Sequence, residues 1–200
     1  LDLATNRPDW WPKERTYDEY AAWAESLTPS FNREANSPFV VCGDERRFVL
    51  VREANSDQLY SRVATIHQGA EYELYIFFRN GEPVNDMAAT SRGARLFLEL
   101  PGALFEPTKL TATIRSENSL PAAIGASAVL QPEIGVGSTY IEATSAELFD
   151  GGGVKIHDIP VGELTGNSGA LIGCSEPNGE VVAGCFGHVV VRFTAKRLSR

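Results

Sequence analysis

From Arg46 onward the chain alternates apolar and polar positions with a period of two, the signature of strands that bury one face. In "RFVLVRE" (47–53), Phe48, Leu50 and Arg52 oppose Val49 and Val51. In "EYELYIFFRN" (71–80), Tyr72, Leu74, Ile76 and Phe78 share one face, and Glu71, Glu73, Tyr75 and Phe77 share the other. The same period runs through "ARLFLEL" (94–100), "KLTATIRS" (109–116), "STYIEATSAELF" (138–149) and "HVVVRFTAK" (188–196). "YSRVATIH" (60–67) and "GALIGC" (169–174) are shorter runs of the same kind. Turn residues separate these segments, and no ten-residue helical pattern alternates with them, which argues against a parallel βαβ sheet. The pattern predicts an all-β protein, an immunoglobulin-like antiparallel β-sandwich, with a closed barrel as the rival arrangement.

Residues 1–43 differ from the rest. They hold all three tryptophans, Trp10, Trp11 and Trp23. "TYDEYAAWAESL" (16–27) reads as a short helix: Thr16 and Glu19 have capping-box spacing, and Tyr20, Trp23, Ala24 and Leu27 form one apolar face. Pro29 stops it. The expected division is therefore an N-terminal Trp-rich arm, 1–43, followed by a β-sandwich domain, 44–200. Disordered segments are poor in aromatic residues, so this arm is expected to dock. It docks either on its own domain or on a neighbouring subunit, with Trp10, Trp11, Trp23 and Phe31 as the candidate contact residues.

Composition narrows the function classes. The chain has 200 residues, enough for a substantial core without metals or disulfides. Its net charge of −8 disfavours nucleic acid as a partner. No apolar run approaches the ~18–20 residues of a membrane span, and no segment reads as a signal peptide. The sequence starts at Leu1 rather than Met, which leaves a removed secretion signal open.

Candidate chemistry is sparse. "GNSGALIG" (166–173) resembles the nucleophile loop of chymotrypsin-like serine proteases, with Ser168 as nucleophile and His67 as base. However, Asn167 and Ala170 replace the expected aspartate and glycine, and Asn-Ser-Gly is a common turn. Cys174, Cys185, His157 and His188 lack the closely spaced ligand pairs of a zinc site. "DGGGVKIHD" (150–158) lacks the alternating acidic pattern of an EF-hand loop. Glu71 and Glu73 share a strand face but read as a solvated pair. No cofactor or metal is expected.

Three cysteines remain. Between Cys174 and Cys185, Pro177-Asn178-Gly179 is a strong turn signal, which predicts a hairpin closed at its base by a Cys174–Cys185 disulfide. Such a bridge contributes roughly 2–3 kcal/mol by constraining the unfolded chain. Cys42 is then left as a buried thiol or an intermolecular link.

Taken together, "FNREANSPFVVCGDERRFVLVRE", "GAEYELYIFFRNGEP", "ARLFLELPG", "TATIRSENSLP", "TYIEATSAELF", "GALIG" and "GCFGHVVVRFTAK" resemble an uncharacterised module of secreted and cell-surface bacterial proteins of actinobacterial type. They are also similar to surface-adhesin repeat domains. The resemblance covers about Ser30 to Lys196. Of the "HNN" usual after the third strand in such modules, only Asn80 matches, and Cys42 stands where a tyrosine is usual. The resemblance implies an extracellular β-sandwich and brings no catalytic residues.

The leading expectation is a non-enzymatic extracellular structural or adhesive module, self-associating or binding a protein partner through its arm. The alternative is a carbohydrate-binding module using Tyr75 and Phe77 as a stacking platform on the face opposite the core set. A serine hydrolase using Ser168 ranks third.

Overall fold

The computed structural model describes residues 28–32, 34, 37–40, 43–81, 89–133 and 139–197. The expected helix over 16–27, together with Trp10, Trp11, Trp23 and Cys42, lies outside the described residues.

Among the described residues the protein is largely β, with two sheets and a minor helical component. The strands are β1 (Val49–Glu53), β2 (Val63–Ile66), β3 (Glu71–Arg79), β4 (Arg95–Glu99), β5 (Ala103–Leu104), β6 (Thr108–Arg115), β7 (Ala123–Pro132), β8 (Thr139–Asp150), β9 (Lys155–Asp158), β10 (Ala170–Leu171) and β11 (Phe186–Arg197). A single helical turn, α1 (Val161–Leu164), lies between β9 and β10, and a 3-10 turn (Glu45–Arg47) precedes β1. Asp44 caps that turn by accepting from the Arg46 backbone N–H.

One sheet has the order β1-β3-β11-β8-β5, with β9 also on β8; the other has β10-β4-β6-β7-β2. All the strong alternating runs form strands. Their inward residues make one buried cluster: Leu74, Ile76, Leu148, Val189 and Val191 from the six-stranded sheet, and Leu96, Leu98, Leu110, Ile114, Ile124 and Leu130 from the five-stranded one. Each such side chain contributes about 1.5–3 kcal/mol.

Four features depart from expectation. First, β2 pairs with β7 in parallel, so the sheets are not purely antiparallel. The chain crosses from one sheet to the other just before β2. There Val51 and Ser61 exchange both backbone hydrogen bonds, at 2.7 and 2.9 Å, stitching the edge of one sheet to the edge of the other. Second, β7 shows weak hydrophobic alternation because small residues, Ala126 and Ala128, lie between its buried Ile124 and Leu130; Ala126 stands opposite Ala112.

Third, the segment holding both cysteines is not a two-stranded hairpin. Gly179 turns with φ +82°, as the turn signal requires, yet the two limbs run along the β4 side. Ala170 pairs with Leu96, and Val181 pairs with Ser91. Fourth, the stretch assigned to the arm contains residues built into the domain. Phe31 bridges to Asn80 beside β3 and is only 3% exposed within the core cluster. Phe31 is thus buried against the protein's own fold, while the first strand, β1, starts at Val49.

Candidate functional site

The alternation in β3 and β11 puts one row of side chains on the solvent side of the six-stranded sheet. On this face, Tyr75 stands next to Val190, Phe77 next to His188, and Glu73 next to Arg192. From β8, Phe149 pairs with His188 and Glu147 with Val190.

The rings stack on one another. His188 lies 4.7 Å from Tyr75 and 5.0 Å from Phe149, nearly parallel to the latter at 4°. Tyr60 tilts against Tyr75 at 5.4 Å. Offset stacking of this kind satisfies the quadrupoles of the rings and uses their faces. Phe77 continues the layer toward Phe186 and Phe39 and is only 1% exposed. Burial lowers the pKa of the His188 imidazole, and the charge of Asp150 opposes that shift only in part.

Ionic groups close both ends of the row. At one end, Glu73 accepts from Arg52 at 2.7 and 2.9 Å and from the Tyr60 hydroxyl at 3.1 Å, with Arg192 at 3.4 Å. Burial pushes the Glu73 carboxyl up, but these donors and charges outweigh it and hold it below its ordinary value. Burial and the neighbouring Glu73 charge push the Tyr60 phenol up to about 12. At the other end, Arg79 pairs with Glu34 at 2.7 Å and with Glu45 at 2.8 Å, and its guanidinium lies 4.6 Å over the Phe39 ring.

For a saccharide platform the consequences are direct. Phe77 presents no surface to a sugar, and the Tyr75 ring lies between His188 and Tyr60. The residues that sequence reasoning missed on this face, Tyr60, His188 and Phe149, are ring partners from three separate chain segments. Their common face is readable in "HVVVRF" for His188, but the stacking itself is not.

The proposed hydrolase pair does not assemble. His67 follows β2 and Ser168 precedes β10, and these strands are the two opposite edges of the five-stranded sheet. Four strand spacings separate them, roughly 19 Å along the sheet. His67 faces Glu133 at 3.2 Å, and Ser168 is exposed. The glycine of the Asn-Ser-Gly sequence has a structural cause: Gly169 has φ +65°, and a Cβ there would meet the Phe97 ring at 2.7 Å. Arg95 donates to the carbonyls of Ser168 and Gly169.

Cys174 and Cys185 are joined in a disulfide, with Cα atoms 6.3 Å apart. Cys174 follows β10 in one sheet and Cys185 immediately precedes β11 in the other, so the bridge links the two sheets. Neither sulfur is a metal ligand. Among the described residues no group of three His, Cys, Asp or Glu side chains is placed to hold a metal ion. In the 150–158 loop, Asp150 Oδ1 accepts from the Gly152 and Val154 N–H groups and Asp158 pairs with Lys155, so both carboxylates serve the loop itself. No helix among the described residues is long and apolar enough to cross a membrane.

In comparison with known proteins, the chain matches no family model, no curated protein and no solved structure.

Proposed function

We propose that this protein is a non-enzymatic structural or adhesive module of the cell exterior, an immunoglobulin-like β-sandwich that presents its Trp-rich N-terminal residues to a partner. The observation that carries the reading is the Cys174–Cys185 disulfide between the two sheets. Structural disulfides persist in oxidising compartments and are rare where thiols are kept reduced. The resemblance of the β segments to secreted surface modules supports the same location. The self-stacked aromatic row supports a structural role, because rings whose faces lie against one another stiffen a sheet more readily than they receive a ligand. Sugar binding through Tyr75 and Phe77 would need this layer to part. Hydrolysis by Ser168 would need a base other than His67.

The test is to label intact producing cells with a membrane-impermeant reagent and to map the thiols of the recovered protein. Surface labelling with Cys174 and Cys185 linked is the expected result. Protein found only inside cells with both thiols free overturns the reading.

A further inference from the structure

We infer that the solvent face of the five-stranded sheet binds an acidic polysaccharide, with its carboxylates on Arg95 and Arg115 and a sugar ring over Gly125. This goes beyond the adhesive reading above, because it names a ligand and a surface that does not involve the N-terminal residues. Two glycines inside strands show why. Gly187 of β11 is required by the fold: a Cβ there would meet Phe149 O at 2.6 Å and the Phe78 ring at 2.7 Å. Gly125 of β7 is not. Its φ lies outside the left-handed region, and a Cβ would stand an ordinary 3.6 Å from its nearest neighbours, Ala112 O and Thr113 Oγ1. The β6–β7 ladder passes it without a bulge. A glycine in a strand interior weakens the strand. Where no bulge or bend needs it, it marks a place where another molecule comes close to the backbone.

The surroundings of this notch suit a sugar. Thr113 stands opposite Gly125 on one side and opposite Phe97 on the other. Two positions along, Thr111 stands opposite Ser127, and their hydroxyls lie 2.9 Å apart. Such hydroxyls both donate and accept, as sugar hydroxyls do. β6 is held on both sides, by β4 and β7, so its backbone groups are occupied in ladders. An extended acidic peptide, which binds by adding to a strand edge, finds no edge in the middle of this face.

Charge selects an anion. Arg95 and Arg115 are directly opposite one another in the β4–β6 ladder, and like charges so placed destabilise a sheet. Both are held in position. Arg95 Nη1 donates to Ser168 O at 3.3 Å and to Gly169 O at 3.1 Å, and the Arg115 guanidinium lies 4.6 Å over the Phe97 ring. Carbonyls and a ring face orient these groups without neutralising them, and among the described residues neither is in an ion pair. Cations of the six-stranded sheet are paired instead: Arg52 and Arg192 with Glu73, Lys155 with Glu147, and Lys196 with Glu142. The two planar forks side by side match a carboxylate. Lys109 faces the same way six residues earlier on β6, roughly 20 Å from Arg115 at about 3.3 Å per residue. That length suits a chain of repeated carboxylates rather than one small anion. Glu99, opposite Thr111, and Glu117, whose side chain lies against Gly93, border the strip and set its limits.

Isothermal titration calorimetry of the full, oxidised chain with a galacturonic acid hexamer tests this. A neutral galactose hexamer and a hexaglutamate peptide are the controls. The uronate hexamer should bind saturably and at least about tenfold more tightly than either control. Gly125→Val fills the notch with a side chain that favours strands, so its thermal midpoint should not fall, while its affinity should drop by about tenfold or more. Arg115→Gln relieves the like-charge pair and should weaken binding comparably, which keeps the test decisive if Gly125→Val lowers the midpoint. Four results overturn the inference: no binding of the uronate hexamer; equal affinity for the neutral hexamer; hexaglutamate binding as tight as uronate, which would make this an acidic-peptide surface; or undiminished affinity in both variants. Binding is read on the isolated protein, so its failure leaves the cell-surface labelling test of the functional reading untouched.

Discussion

Arg79 Nη1 lies 2.8 Å from Glu45 Oε1, and the Glu45 side chain has no exposed surface. The same carboxylate oxygen accepts from the Ser37 hydroxyl at 2.6 Å. This pair ties the 3-10 turn before β1 to the end of β3. Truncating one partner of a buried ion pair leaves the other charge uncompensated. Arg79→Ala should cost about 3–5 kcal/mol, read as a drop in the urea midpoint. A loss below about 1 kcal/mol, the worth of an ordinary surface pair, would show that the pair is not buried in solution.

Glu73 makes stability depend on acidity. Its folded-state pKa is depressed by Arg52, Tyr60 and Arg192 against the opposing effect of burial. The associated stability is therefore present above the unfolded value of 4.5 and is lost as pH falls through the folded value. Glu73→Gln should be destabilising at pH 7, and its difference from the parent should shrink as pH falls below about 4.5. Denaturation midpoints across pH 3 to 7 check this; a constant difference would contradict it.

His188 acts in a higher range and with the same sign. Burial depresses its folded pKa, so the unfolded chain binds the proton more readily. Stability should be full above the unfolded value of 6.5 and fall as pH drops below it. His188→Phe keeps a ring between Tyr75 and Phe149 and removes the titration. The variant should show a flatter stability profile between pH 5 and 7 than the parent.

Removing the disulfide tests the link between the sheets. Cys174→Ser with Cys185→Ser should cost roughly 2–3 kcal/mol, and non-reducing peptide mapping of the parent should recover the two cysteine peptides joined. Two free thiols in protein from an oxidising compartment would remove the main support for the proposed location.

Ser168→Ala should leave stability within about 0.5 kcal/mol of the parent, since the side chain is exposed and the turn depends on Gly169. Gly169→Ala should be the destabilising change, because it meets the Phe97 ring in a left-handed backbone conformation. Abolition of a measured hydrolysis by Ser168→Ala would overturn the non-enzymatic reading.

The alternation of apolar residues was enough to place β3, β6, β8 and β11. Tyr72, Leu74, Ile76 and Phe78 had to share a face, and burying that face required a second layer. Pro177-Asn178-Gly179 was likewise legible as a turn, because its chemistry is local. Pairing was not legible. "AIGASAVLQP" hides a full strand, β7, because on its inner face only the small Ala126 and Ala128 stand between the buried Ile124 and Leu130, and Ala126 is matched to Ala112 across the ladder. β2 reads as an alternating strand, but its parallel partner lies more than sixty residues away and was chosen by the crossover at Ser61 and Val51. The sequence spoke against a Ser168–His67 pair only through its loop residues; sheet order adds that the two lie at opposite edges. The stacking of Tyr60, Tyr75, His188 and Phe149 has the same origin. A period of two assigns each residue to a face, but only strand order and register decide which residues on that face touch.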